Sequence, residues 1–254
     1  MSLCSACVLI LLVILAEALG VSVVVLMFIL LSQMGGLSLN IEEAGAFNLH
    51  PFLMTFGLVF LYGNGILVYR AGAATGLSRF TLKMIHFIIQ LVAFIMAVLA
   101  LFAVFRYHRT HGYPNMMSLH NWVGMATVVF FGLQLLFGFL FFLFPRPRES
   151  IRSAYKGVHL FFGFFIFGMV AVSILTGLTE QIFYNNGGFD SVTSKVLIAN
   201  VISIVLVAFI GVVTFTVTSS FFEDNDEKIQ DDIAAATSDE KSGLLEMKPA
   251  ESST

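Results

Sequence analysis

Charge is scarce in this chain. Only 11% of its 254 residues are Asp, Glu, Lys or Arg, where a soluble domain carries roughly 25%. With 58% hydrophobic residues and a mean hydropathy of +0.92, it has too little polar surface to face water all round. That excludes a soluble globular protein and leaves lipid as the solvent. Cysteine is scarcer still. Two, Cys4 and Cys7, cannot build a disulfide framework. As a C-x-x-C they read as membrane-edge cysteines or acylation sites ahead of a redox pair. The apolar runs show no alternation, which excludes a membrane β-barrel. Nothing in the composition points to a nucleic-acid partner.

The net charge of −3 sums two unlike parts. From Glu223 to Thr254 there are ten acidic and three basic residues, a net of −7, so the body before it is +4. The tail, 223–254, is polar and poor in aromatics, and it reads as disordered. Within it, Glu240-Lys241-Ser242-Gly243-Leu244-Leu245 fits an acidic dileucine sorting signal of the kind that directs proteins to endosomes, lysosomes or related vesicles.

What is abundant is long apolar sequence. A helix needs about 20 apolar residues to cross the hydrocarbon core, and six stretches qualify: roughly 7–32, 50–69, 84–105, 120–144, 157–178 and 196–221. Backbone polar groups left bare in lipid are too costly, so each stretch is a helix. The expectation is an all-α membrane domain of six transmembrane helices over 1–222. Ala16-Glu17-Ala18 follows an apolar run and resembles a signal-cleavage site. No Lys or Arg precedes it, so the uncut reading is preferred. Glu17 then stands in mid-membrane, where a carboxyl is usually neutral or paired inside the bundle.

Orientation follows from the basic residues of the short loops. One side holds Arg70, Arg79, Lys83, Arg146, Arg148, Arg152 and Lys156, and the other Arg106, Arg109 and Lys195. The richer side should be cytoplasmic. Six spans then put both termini there.

The six histidines carry the chemistry. Four of them, His50, His86, His120 and His159, open spans two to five at spacings of 36, 34 and 39 residues. Successive helices run in opposite directions. His50 and His120 therefore lie near the non-cytoplasmic face, and His86 and His159 near the cytoplasmic one. A single histidine at a helix end is usually an interfacial polar residue. Four at matched depths in two same-side pairs suit an iron porphyrin between each pair. Zinc usually takes four ligands, often with Cys or carboxylate, and no such partners accompany these pairs. Gly124 and Gly163 follow His120 and His159 by four residues on the same helix face. Each either gives room to a porphyrin or serves close helix packing. Gln90, Gln134 and Asn200 lie inside spans and serve neighbouring helices or haem propionates.

Iron with histidine on both axial positions has no open site, which favours electron transfer over oxygen activation. Arg70, Arg79, Lys83 and Arg152 ring the cytoplasmic mouth, with Lys83 one turn before His86. Such a cluster attracts a small anionic donor, although most basic loop residues merely set topology. On the other face Arg106, His108, Arg109, His111 and Asn115 crowd the loop before His120. They suit an anionic or metal-chelate acceptor.

Several motifs together resemble the cytochrome b561 family of ascorbate-dependent transmembrane oxidoreductases. They are Phe47-Asn48-Leu49-His50-Pro51, Ile66-Leu67-Val68-Tyr69-Arg70, Lys83-Met84-Ile85-His86, Ser118-Leu119-His120-Asn121-Trp122 and Gly177-Leu178-Thr179-Glu180. The resemblance covers about 45–180 and implies a central four-helix bundle of spans two to five. It implies two non-covalent haem b groups on His50/His120 and His86/His159, and cytoplasmic ascorbate at Lys83, Arg70, Arg79 and Arg152. It also implies an outer site including His108 and Asn115, an acceptor that is monodehydroascorbate or a ferric complex, and a homodimer. The chain departs from the family pattern at Met117, where Tyr is common, at Asn121, and at Phe221-Phe222-Glu223-Asp224, where a basic segment is usual. Two other readings stand beside this one: a membrane cytochrome that hands electrons to a partner protein, and a haem-free six-helix transporter.

Overall fold

The structure is a computed structural model that describes residues 3–72, 75–145, 147–186 and 191–219. Among these, every regular element is helical. Helix α1 runs Leu3–Ser32. The second span is α2 (Leu49–Met54), a π-helical stretch (Thr55–Leu61) and α3 (Tyr62–Gly72). The rest are α4 (Arg79–His111), α5 (Leu119–Phe142), α6 (Glu149–Asn186) and α7 (Ser194–Thr218). Together these make six helices long and apolar enough to cross a membrane.

All six expected spans are present, but several helices outrun their apolar stretches. Helix α4 has 33 residues, about 50 Å at 1.5 Å per residue, against a hydrocarbon core of about 30 Å. Hydropathy marks only the part inside hydrocarbon, and polar turns continue the helix beyond it. His86 and His159 therefore do not open their helices. They lie two and nearly three turns in, behind Arg79 and Glu149.

The starts have local causes. Ser78, Ser118 and Thr193 accept hydrogen bonds from the backbone N–H of Thr81, Asn121 and Val196, as N-caps do. Gly112, at φ 71°, ends α4 in the left-handed conformation, and Tyr113 N–H closes back on His108 O.

The second span, α4, α5 and α6 form a four-helix bundle, with α1 and α7 packed together along the side made by the second span and α6. Side chains from α1, the second span, α6 and α7 fill the core between them, among them Leu30, Val59, Phe167, Ile202, Leu206 and Phe209. Helix α4 instead meets the second span through a buried small-residue row, Ala93, Ala97 and Ala100. A Cβ added at Gly57, inside the π stretch, would stand 3.1 Å from Ala93 O and 2.9 Å from Met96 Cβ. Small residues of this kind let helix backbones approach in lipid. Large apolar side chains such as Leu11, Phe102, Phe161 and Ile204 face outward, as a lipid-facing surface requires. Glu17 lies midway along α1, half-buried on the side of the helix near the Asn64 side chain of α3. Arg146 and residues 220–254, with the sorting signal and the acidic tail, lie outside the described residues.

Candidate functional site

Close approach of α4 to the second span brings two histidines onto backbone carbonyls across the same interface. His50 Nδ1 on α2 donates to Ala100 O on α4 at 3.3 Å. His86 Nδ1 on α4 donates to Gly65 O on α3 at 2.7 Å. The interface of α5 with α6 repeats the device. His120 Nδ1 donates to Ser173 O at 2.8 Å, and the Gln134 amide donates to His159 O at 2.6 Å. His159 is the exception. Its Nδ1 is buried without a hydrogen-bond partner. A Cβ at Gly138 of α5 would stand 3.2 Å from its Cε1.

These contacts bring together the expected pairs. The His50 and His120 ring centres are 6.1 Å apart, and those of His86 and His159 6.3 Å. On α4 the level of His86 and the level of His50's acceptor, Ala100, are fourteen residues apart, about 21 Å along the axis. The pairs therefore sit toward opposite ends of the bundle.

The separations can be tested against an iron porphyrin. Metal–imidazole bonds are about 2.0–2.1 Å. Two in line, with about 1.1 Å from each nitrogen to its ring centre, put the ring centres about 6.3 Å apart. With Nδ1–H donating to a carbonyl, the nitrogen left to coordinate is Nε2. Such a partner fixes the tautomer and raises ligand basicity. Each pair brings two nitrogen donors, and among the described residues no group of three or more His, Cys, Asp or Glu is placed to hold a metal ion. Two axial donors suit a group that brings its own four equatorial nitrogens. The residues fit the haem.

A cavity of about 740 Å³ lies at the His50/His120 end and reaches a mouth bordered by His108, Asn115, Glu180, Gln181 and Tyr184. That volume falls in the range of cofactor sites. His108 Nδ1 donates to Asn115 Oδ1 at 3.0 Å, and its ring lies parallel to Phe47 at 6.3 Å. The two expected outer-site residues thus meet. His111 is held instead in an aromatic stack, 4.0 Å from Tyr107, with Nδ1 donating to Tyr107 O. Met117 borders the cavity and is 74% exposed. Beyond the spans, hydrogen bonds from Ser38 and then Asn40 hold the Glu43 carboxyl below its usual range.

At the His86/His159 end, Lys83 Nζ donates to Phe142 O at 3.2 Å, and the Phe142 ring is 5.2 Å from that of His159. The lysine is thereby tied to the pair. Arg70 closes α3 with a hydrogen bond to Val217 O of α7 at 3.0 Å. Arg152 is half-buried, its Nε buried without a hydrogen-bond partner, and Arg79 is exposed at the start of α4. Tyr69 and Tyr155 lie 5.6 Å from His86 and 6.2 Å from His159, ring centre to ring centre. Sequence reasoning passed over both, since an aromatic beside a basic residue at a helix end is an ordinary interfacial pattern.

A Cβ at Gly124 would meet Ser173 Oγ at 3.0 Å, and Gly124 also lines the cavity, whereas one at Gly163 would stand 3.6 Å from the Gln134 amide, an ordinary contact. The glycines against imidazoles are Gly138 and Gly177, each on the helix opposite its histidine. Of the intramembrane amides, Gln134 serves a neighbouring helix, Gln90 packs against Gly65 with its Oε1 unpaired, and Asn200 is exposed.

The family model for eukaryotic cytochrome b561 matches residues 49–185, from the helix of His50 through that of His159. The chain is 40% identical over 173 residues to the human transmembrane ascorbate-dependent reductase CYB561, covering 68% of each chain. It is 39% identical over 178 residues to the Ovis aries protein of that name, covering 70% of each. With the Xenopus tropicalis plasma membrane ascorbate-dependent reductase CYBRD1 it shares 35% identity over 178 residues, 69% of this chain and 63% of the relative. On these grounds the chain belongs to the eukaryotic cytochrome b561 family and is a membrane-embedded oxidoreductase.

Proposed function

We propose that this protein carries electrons across a membrane from cytoplasmic ascorbate to an acceptor on the other face, through two haem b groups held by His86/His159 and His50/His120. The observation that carries the reading is the pair of ring-centre separations, 6.1 and 6.3 Å, at opposite ends of one bundle. Bound by these histidines, haem b would supply one-electron exchange.

The protein's own residues do the rest. Carbonyls of Ala100, Gly65 and Ser173 fix three of the imidazoles. Lys83, Arg70, Arg79 and Arg152 attract and orient the ascorbate anion beside His86 and His159. The excess of Lys and Arg at that end supports a cytoplasmic placement with both termini on the same side. At the other end, His108 and Asn115 border the mouth where a small acceptor, monodehydroascorbate or a ferric complex, is held. The acidic tail with its dileucine sequence supports an endosomal, lysosomal or secretory-vesicle membrane, and the working unit is a homodimer.

The test is a reduced-minus-oxidised visible spectrum of the purified chain, with haem quantified and ascorbate as reductant. Two b-type haems per chain, both reduced by ascorbate, are expected. Colourless protein, or haem that ascorbate reduces only when a partner protein is added, refutes the proposal.

A further inference from the structure

The Gly177-Leu178-Thr179-Glu180 motif lies toward the C-terminal end of α6, and its glycine has a physical role that haem ligation alone does not explain. His120 Nδ1 donates to Ser173 O at 2.8 Å. In a helix that carbonyl is already the acceptor for the N–H of the residue four positions on, Gly177, and the Thr176 hydroxyl donates to it as well at 3.0 Å. To reach the carbonyl, the imidazole must lie on the turn between Ser173 and Gly177. A Cβ at Gly177 would stand 2.7 Å from Cε1, 2.8 Å from Nδ1 and 3.4 Å from Nε2 of the ring.

Those contacts are too short to relax locally. Ordinary contact begins at 3.4 Å, so the ring would have to withdraw by about 0.7 Å in a close-packed interior that resists added volume. Helix α5 is already at close approach one turn along, where a Cβ at Gly124 would meet Ser173 Oγ at 3.0 Å. Other glycines grade the effect. A Cβ at Gly138 would stand 3.2 Å from His159, relieved by a few tenths of an ångström, and one at Gly168, also on α6, meets nothing within 4 Å.

We infer that Gly177 is a positioning residue for His120: its missing side chain sets where the imidazole stands and hence the axial alignment at the His50/His120 site. The inference rests on the reading of His120 as a haem ligand, and it assigns to Gly177 a role that acts through the His120 ring.

The experiment uses the full haem-loaded chain and three variants, Gly177→Ala, Gly138→Ala and Gly168→Ala. Haem per chain and the low-spin ferric electron paramagnetic resonance signals are measured alongside a redox titration. In Gly177→Ala the signal of one haem is expected to shift or vanish while the other is unmoved. Gly138→Ala should shift only the second signal, and by less. Gly168→Ala should match the parent. Parent-like signals in Gly177→Ala, equal disturbance of both haems by it, or the same change in Gly168→Ala would each overturn the inference. Failure of the ligation reading has a separate signature, an unmodified chain that binds no haem, and it would take this inference with it.

Discussion

Replacing Lys83 with alanine removes one positive charge from the proposed ascorbate site without touching a haem ligand. The ammonium is 3.2 Å from Phe142 O, and the Phe142 ring touches His159, so an anion bound there would lie beside the electron-accepting pair. A unit charge about 4 Å from that ammonium gains about 4 kcal/mol at an effective dielectric constant of about 20. Half-exposure, salt screening over about 8 Å and the nearby arginines reduce this to about 1.5–3 kcal/mol. The expected loss in apparent ascorbate affinity is therefore about 10–100-fold. Stopped-flow haem reduction by ascorbate, repeated over a range of ionic strength, measures it. Lys83→Ala should keep parent haem content and spectrum, require more ascorbate and depend less on salt. Lys83→Arg, which keeps the charge, should stay within a few-fold of the parent. Unchanged rate and salt dependence in Lys83→Ala would refute the electrostatic argument and leave Lys83 as a determinant of topology alone.

His86→Ala should remove one haem per chain and abolish reduction by ascorbate, and normal reduction rates in that variant would refute the pairing with His159. Gly65→Ala should disturb the same haem indirectly. Its Cβ would collide with the Gln90 amide, displacing the carbonyl that orients His86, and a shifted midpoint with haem retained is the expected titration result. Tyr62→Phe removes a buried hydrogen bond to Gly163 O of 2.8 Å, worth about 1 kcal/mol. Thermal unfolding should fall by about 2–4 °C with both haem spectra unchanged, and a change in either spectrum would give Tyr62 a role at the haems.

Much of the architecture could be read from the sequence because lipid imposes it. A continuous apolar run of about 20 residues has one solution, a spanning helix, and the alternation of helix direction then sorts His50 with His120 and His86 with His159 without any knowledge of packing. Helix ends were less legible, since His86 and His159 lie behind polar turns that hydropathy does not count. The π stretch at Thr55–Leu61 left no mark, its residues being as apolar as those of any span. The partners of the imidazoles were invisible for a deeper reason. Ala100, Gly65 and Ser173 act through carbonyl oxygens, which every residue has, so side-chain chemistry could not single them out. Reading along each histidine's own helix drew attention to Gly124 and Gly163 as room for a porphyrin or for helix packing, and gave no sign of Gly177 and Gly138, which face the imidazoles from the helix opposite. A histidine's place along its helix is a local property and can be read from sequence. Its orientation belongs to the interface between two helices, where carbonyl oxygens and small residues meet the ring only when the helices are brought together.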